Sequence, residues 1–304
     1  MVYMNNKHIG MLAVFIAALM WALEPIFAKL SFNTATFLET SIIRAFVVLL
    51  IALGYSLISK ASVLSIKKKE FSALFFIALL GTLFADLLYF YAFLTTSVLN
   101  AVLIGHLQPM FIIIISFFVL KSDKLIRLNY IGIILMMASA FLVSLKTFEN
   151  ATSFSFGSIG DIFVLCATIT WAITAMIMRK YLIHMSASVI TFYRFFIASI
   201  IFAFLVPFID FSPISIYQIV VGITVGIGTI CYYEGLKRLK AAQVSGIELS
   251  SPLFASIIGF LILRESVTQL QIIGMCLLFI GVYFISAQEF HVKKILIKIK
   301  NGFT

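Results

Sequence analysis

The sequence predicts an all-α integral membrane protein of ten spanning helices, arranged as two inverted five-helix repeats with the N- and C-termini on the cytoplasmic side. Three observations predict it. Of 304 residues, 62% are hydrophobic and only 11% charged, with a mean hydropathy of +1.15, a balance outside the range of soluble domains. The apolar residues fall into runs of about 20, the length a helix needs to cross a hydrocarbon core about 30 Å thick. The chain also repeats itself. Tyr89 to Lys121 aligns without a gap on Tyr232 to Arg264, matching Tyr89 with Tyr232, Pro109 with Pro252 and Phe117 with Phe260. Upstream of both stretches, the two tryptophans Trp21 and Trp171 lie 150 residues apart, as do Arg44 and Arg194. Uncommon residues recurring at a fixed offset mark a duplication.

The ten segments run roughly 9 to 30, 36 to 58, 71 to 94, 97 to 120, 128 to 146, 160 to 180, 187 to 207, 214 to 236, 241 to 263 and 270 to 288. A β-barrel is the other spanning solution, and these unbroken runs lack the alternation it needs. The first segment contains Glu24 and no small-residue cleavage site, which argues against a removed signal peptide. Repeat 1 is then about 9–146 and repeat 2 about 160–288, within one membrane domain that ends in a basic tail, 289–304.

Positive charge sets the orientation. With the N-terminus inside, the inner connections collect Lys7, Lys60, Lys67, Lys68, Lys69, Lys121, Lys124, Arg127, Arg179, Lys180, Lys237, Arg238 and Lys240, and the tail adds Lys293, Lys294, Lys298 and Lys300. Outer connections hold Lys29, Lys146 and Arg264. The net charge of +10 is thus the mark of a cytoplasmic membrane face. A nucleic-acid surface would gather its basic residues in one patch, and here they are scattered, so no nucleic-acid partner is expected. Cys166, Cys231 and Cys276 stand singly in apolar runs and form no metal or redox spacing. HExxH, GxSxG and clustered metal ligands are missing from the sequence, so neither an enzyme nor a cofactor is expected.

Five spans per repeat is an odd number, so the second copy enters the membrane from the opposite side, an arrangement typical of secondary transporters. At this point the sequence resembles the ten-helix EamA branch of the drug/metabolite transporter superfamily. Trp21-Ala22 and Trp171-Ala172 carry the likeness in the first helix of each half, and Arg44-Ala45-Phe46 and Tyr193-Arg194-Phe195 in the second. The Pro109 and Pro252 segments, and Arg264-Glu265 leading to Gly274 and Gly281, add to it. Ser122-Asp123 depart from the pattern in the first half, where an acidic residue is usual. The resemblance implies a helical basket around a central cavity, with alternating access for small organic solutes such as amino acids or nucleoside-like compounds. Its partners would be a small-molecule substrate, the lipid bilayer and, for a coupled carrier, protons. An uncoupled facilitator or channel and a structural membrane subunit are the rival readings.

Intramembrane polar residues are costly and so point to a site. Residues equally far from a tight helix connection sit at similar depth, since a helix rises 1.5 Å per residue. This count levels Glu24 with Arg44 across the first connection and Asp86 with His106 across the next. Arg194 finds Thr174 and no acid in its own hairpin, and Glu248 is the acid nearest to it in depth. The expectation is therefore a Glu24–Arg44 pair, an Asp86–His106 contact and an Arg194–Glu248 pair. Ser245, Glu248 and Pro252 share one face of their helix. Each pair reads equally as a strut or as a working group whose acid exchanges partners or a proton between states. Trp21, Trp171, Tyr89, Tyr193 and Tyr232 are the expected aromatic walls for a small zwitterion or amphipathic metabolite. Pro109 and Pro252 are the expected helix bends, each freeing a backbone carbonyl. Glu234 lies three and four residues before Lys237 and Arg238 and reads as a surface salt bridge.

Overall fold

The computed structural model describes residues 6–59, 66–115, 117, 127–152, 157–182, 184–239 and 241–301. Side chains within 151–152, at 179, 241, 242 and 245, and within 286–301 are outside that description. Among the described residues the secondary structure is helical throughout, with no strand. Nine helical segments are long and apolar enough to cross a membrane, and Gln269–Ile285 is a shorter apolar one. We label them α1 (Asn6–Ser31), α2 (Phe37–Ile58), α3 (Lys68–Ala92), α4 (Val98–Ile115), α5 (Arg127–Leu145), α6 (Ile159–Tyr181), α7 (Ala187–Leu205), α8 (Ile216–Arg238), α9 (Ala241–Leu263) and α10 (Gln269–Asn301). The starts and stops lie within a few residues of the sequence reading. The last helix is the exception, its backbone continuing from Gln269 to Asn301.

Serine and threonine start these helices, because their side chains satisfy amides that have no partner in the first turn. Thr36, Ser158 and Ser215 do so as capping boxes with Glu39, Asp161 and Gln218. The outward faces are apolar: Leu50 is 66% exposed, Phe204 73% and Ile58 81%. Such a surface suits lipid and not water. Inside, small residues let helices approach closely. A Cβ at Gly222 on α8 would lie 2.4 Å from the Cβ of Val47 on α2, so this position admits glycine alone without moving a helix.

Three helices depart from regular geometry, and all three position the cavity. In α3, Ala78–Ala85 winds as a π-helix between Lys68–Ile77 and Asp86–Ala92. Helix α4 breaks after Val98–Gly105 and resumes at Gln108–Ile115. Helix α9 breaks after Ala241–Glu248 and resumes at Ser250–Leu263. Pro109 and Pro252 explain both breaks. A proline lacks the N–H that would bond the carbonyl four residues back, and those carbonyls belong to Gly105 and Glu248.

Candidate functional site

The helices enclose a cavity of about 190 Å³, small beside the ~300–1,000 Å³ of drug-sized sites. Trp21, Glu24, Arg44, Asp86, Tyr89, His106, Pro109, Trp171, Arg194, Tyr232 and Glu248 all line it. Of the other expected residues, Pro252 and Tyr193 are not among those that line it. Tyr193 packs edge-on against Phe192, 5.4 Å between centroids, beside the apolar cluster that contains Met178 and Tyr233. Tyr193 precedes Arg194, and adjacent residues on a helix point about 100° apart. The side chain of Ser245 lies outside the described residues.

Charge in the cavity is organised around Asp86. Its carboxylate accepts from Arg44 Nη2 at 3.0 Å, from Arg194 Nη2 at 3.2 Å and from the indole N–H of Trp171 at 2.8 Å. Arg44 also donates to Glu24 at 3.3 Å, the pair expected from depth. Arg194 Nε donates to Thr82 at 2.7 Å. The other two expected pairings do not form. Asp86 is taken by the arginines and not by His106, and Arg194 reaches Asp86 and not Glu248. The π-helical segment immediately before Asp86 explains the first error, because a wider turn changes the direction in which the following side chains point. Thr82 is not among the residues expected from sequence, yet it lies about one helical turn before Asp86, on the same face.

His106 does something different. Its Nδ1 faces the Val102 carbonyl at 2.7 Å and its Nε2 faces the Glu248 carbonyl at 3.2 Å. The second is the carbonyl that Pro252 leaves without a donor, so the imidazole of one broken helix caps the break in the other. A neutral imidazole has one N–H and can make one of these bonds, whereas a protonated one makes both. The carboxylate of Glu248 receives no hydrogen bond from any described residue and joins no ion pair.

The aromatic lining pairs across the halves of the chain. Trp21 meets Tyr232 at 4.9 Å between centroids and Trp171 meets Tyr89 at 5.0 Å. Each tryptophan thus packs on the tyrosine of the opposite half.

Polar ties gather at one rim. Arg264 ends α9 in a left-handed conformation, φ 56°, which turns Glu265 back over the helices. There its carboxylate accepts from Lys29 Nζ at 3.0 Å and from the Val98 amide at 2.9 Å. Thr96 and Asn100 bond Asp161, Gln271 bonds Asn100 at 2.6 Å, and the Ser212 amide donates to Glu39 at 2.6 Å. Towards the opposite end Ile77, Met178 and Tyr233 line the cavity within an apolar cluster. Glu234 joins Lys237 and Arg238 near that end, as expected for a helix-end salt bridge.

Comparison with known proteins agrees with this architecture. The model of the EamA-like transporter family matches residues 8–145 and again 158–287. An uncharacterized transporter of Synechocystis sp. is 31% identical over 70% of this chain and 65% of its own length. Another, from Methanothermobacter thermautotrophicus, is 21% identical over 72% of this chain and 66% of its own. The chain thus spans a little under two thirds of the length of these relatives. A solved crystal structure superposes with a TM-score of 0.65 at 17% identity, covering 90% of this chain and 95% of the other; at that identity the likeness shows the fold.

Proposed function

The chain belongs to the EamA-like transporter family, and from that premise we propose that it is a secondary-active transporter moving a small organic metabolite across the cytoplasmic membrane by alternating access. The observation that carries this reading is the pair of unlike closures at the two ends of one charged, aromatic-lined cavity. Hydrogen bonds and one ion pair tie the first rim, whereas towards the second an apolar cluster closes the cavity with the Glu70–His184 contact, 2.8 Å, at its edge. A carrier must open each closure while the other holds, and an equilibrium between two such states shifts only through interactions that differ between them. The tryptophan–tyrosine pairs exchanged between halves support the further reading of two inverted repeats about a pseudo-two-fold axis, and the Lys- and Arg-rich connections on one side support cytoplasmic termini.

The acids and arginines of the cavity are the proposed working groups, with Trp21, Trp171, Tyr89 and Tyr232 as walls and Pro109 and Pro252 as hinges. Glu248 is the proposed coupling residue. It has no fixed partner, so its protonation can differ between states at little structural cost. Counterflow of labelled amino acids and nucleosides in proteoliposomes tests the reading. A carrier gives uptake that saturates and is accelerated by unlabelled solute on the far side; uptake linear in concentration makes the protein a channel. Replacing Glu248 by Gln should abolish uptake driven by a pH gradient and spare exchange at equal pH. Should that variant still concentrate solute against its gradient, Glu248 is not the coupling residue.

A further inference from the structure

The cavity holds three carboxylates and two guanidiniums, and the imbalance falls on one residue. Arg44 is shared by Glu24 and Asp86, and Arg194 is held by Asp86. The nitrogens of His106 face two carbonyls and no carboxylate. Among the described residues Glu248 alone faces the cavity as a carboxylate without a donor. An uncompensated carboxylate away from water is expensive, and a mobile partner in the cavity would relieve that cost.

Two independent features give that partner its sign and shape. The half-helices Val98–Gly105 and Ala241–Glu248 both end at the cavity, and each helix C-terminus presents the negative end of its dipole. Such ends of broken helices are where membrane carriers receive cations. The wall near Glu248 includes the Trp21–Tyr232 ring pair, and aromatic faces attract an organic cation. An anion meets no spare cation: both arginines are held by carboxylates, and Arg44 Nε, which lacks an acceptor, is buried. A bare metal ion would want several oxygen ligands, which aromatic walls do not supply.

We propose that the cavity binds a small organic monocation, with an ammonium group at the Glu248 carboxylate and its apolar body against Trp21 and Tyr232. This deepens the transport reading above and replaces the zwitterion expected from sequence, whose carboxylate would find no unpaired cation here. It rests on that reading only in taking the cavity as the transport site.

The test uses the full chain purified in detergent, with tetramethylammonium chloride as probe against sodium chloride and leucine at equal concentration. Saturable stabilisation against heat by tetramethylammonium alone is expected. Glu248→Gln should weaken that binding about tenfold or more, the loss of one charge contact at ~1.4 kcal/mol per decade. Without ligand the same variant should melt no lower than the parent, because an unpaired carboxylate is removed. Trp21→Leu should also weaken binding. Equal stabilisation by sodium chloride, stabilisation by leucine alone, or undiminished binding to the Gln variant overturns the proposal. Flux separates it from the transport reading. Tetramethylammonium binding in a protein that gives no saturable flux of it, of amino acids or of nucleosides leaves the site standing and removes the carrier. Saturable leucine uptake that tetramethylammonium neither inhibits nor accompanies leaves the carrier standing and removes the site.

Discussion

Replacing Asp86 by Asn changes no volume and tests whether the centre of the molecule is a charge clamp. Both carboxylate oxygens of Asp86 face donors: the indole N–H at 2.8 Å on one side, two guanidinium nitrogens at 3.0 and 3.2 Å on the other. An asparagine offers one oxygen and one NH₂, so at least one donor is left pointing at another donor. Arg44 keeps Glu24 at 3.3 Å, whereas Arg194 loses its one described carboxylate partner and keeps Thr82. Stranding one charge of a buried pair costs about 3–5 kcal/mol. At roughly 2–4 °C per kcal/mol for large domains, the melting temperature in detergent should fall by about 10 °C. The second half of the test is Arg194→Met on the Asn background. Removing the stranded charge should restore half or more of the loss, a coupling that a double-mutant cycle reads directly. A fall of under about 2 °C for the single variant, which is a kcal/mol or less on the same scale, or a double variant no better than the single, would refute the clamp.

Three other perturbations have defined outcomes. Pro252→Ala returns an N–H four residues after Glu248, so it should compete with His106 for that carbonyl and straighten α9; counterflow should drop several-fold while helicity by circular dichroism is retained, and undiminished counterflow would show that the break is dispensable. Gly222→Val drives a side chain into Val47, where the first added carbon already stands 2.4 Å from a neighbour, and should destabilise the protein by about 1–3 kcal/mol, read as a lower melting temperature. Single cysteines at Lys67 and Asn150 should label with a membrane-impermeant reagent from opposite sides of a sealed vesicle, the first from the cytoplasmic face; labelling from the same side would reverse the inverted-repeat topology.

Depth was legible in the sequence and direction was not. Counting residues from a hairpin brought Glu24 to Arg44, because two helices joined by a short turn keep their residues level. The same count levelled Asp86 with His106 and failed to pair them, since it carries no information about which way a side chain points. The π-helical Ala78–Ala85 then adds a rotation that no apolar pattern announces, and it turns Asp86 towards two helices distant in sequence. The proline breaks were readable from composition, since a missing N–H is a property of the residue. What fills each freed carbonyl is a tertiary matter, and His106 at the Glu248 carbonyl joins residues 142 positions apart.

In the proposed carrier, the duplicated scaffold and its unequal residues together would give one cavity a direction. At the offset that aligns the tryptophans, Glu24 corresponds to Thr174, and at the offset that aligns the prolines, Asp86 corresponds to Thr229 and Gly105 to Glu248. All six positions line the cavity. The arginines are kept in both halves, whereas each acid appears in one half only. Two matching arginines therefore converge on a single Asp86, and the carboxylate that would balance a symmetric site stands instead at the break of α9 as Glu248. There its backbone is held by the imidazole of the other break while its side chain is left unpaired. In the proposed carrier a symmetric frame would give the two closures a common hinge geometry, and the asymmetric acids would make the states on either side of that hinge differ in charge contacts. That difference is the quantity a coupled carrier needs, because a conformational equilibrium answers to a cation or a proton only as far as the two states bind it unequally.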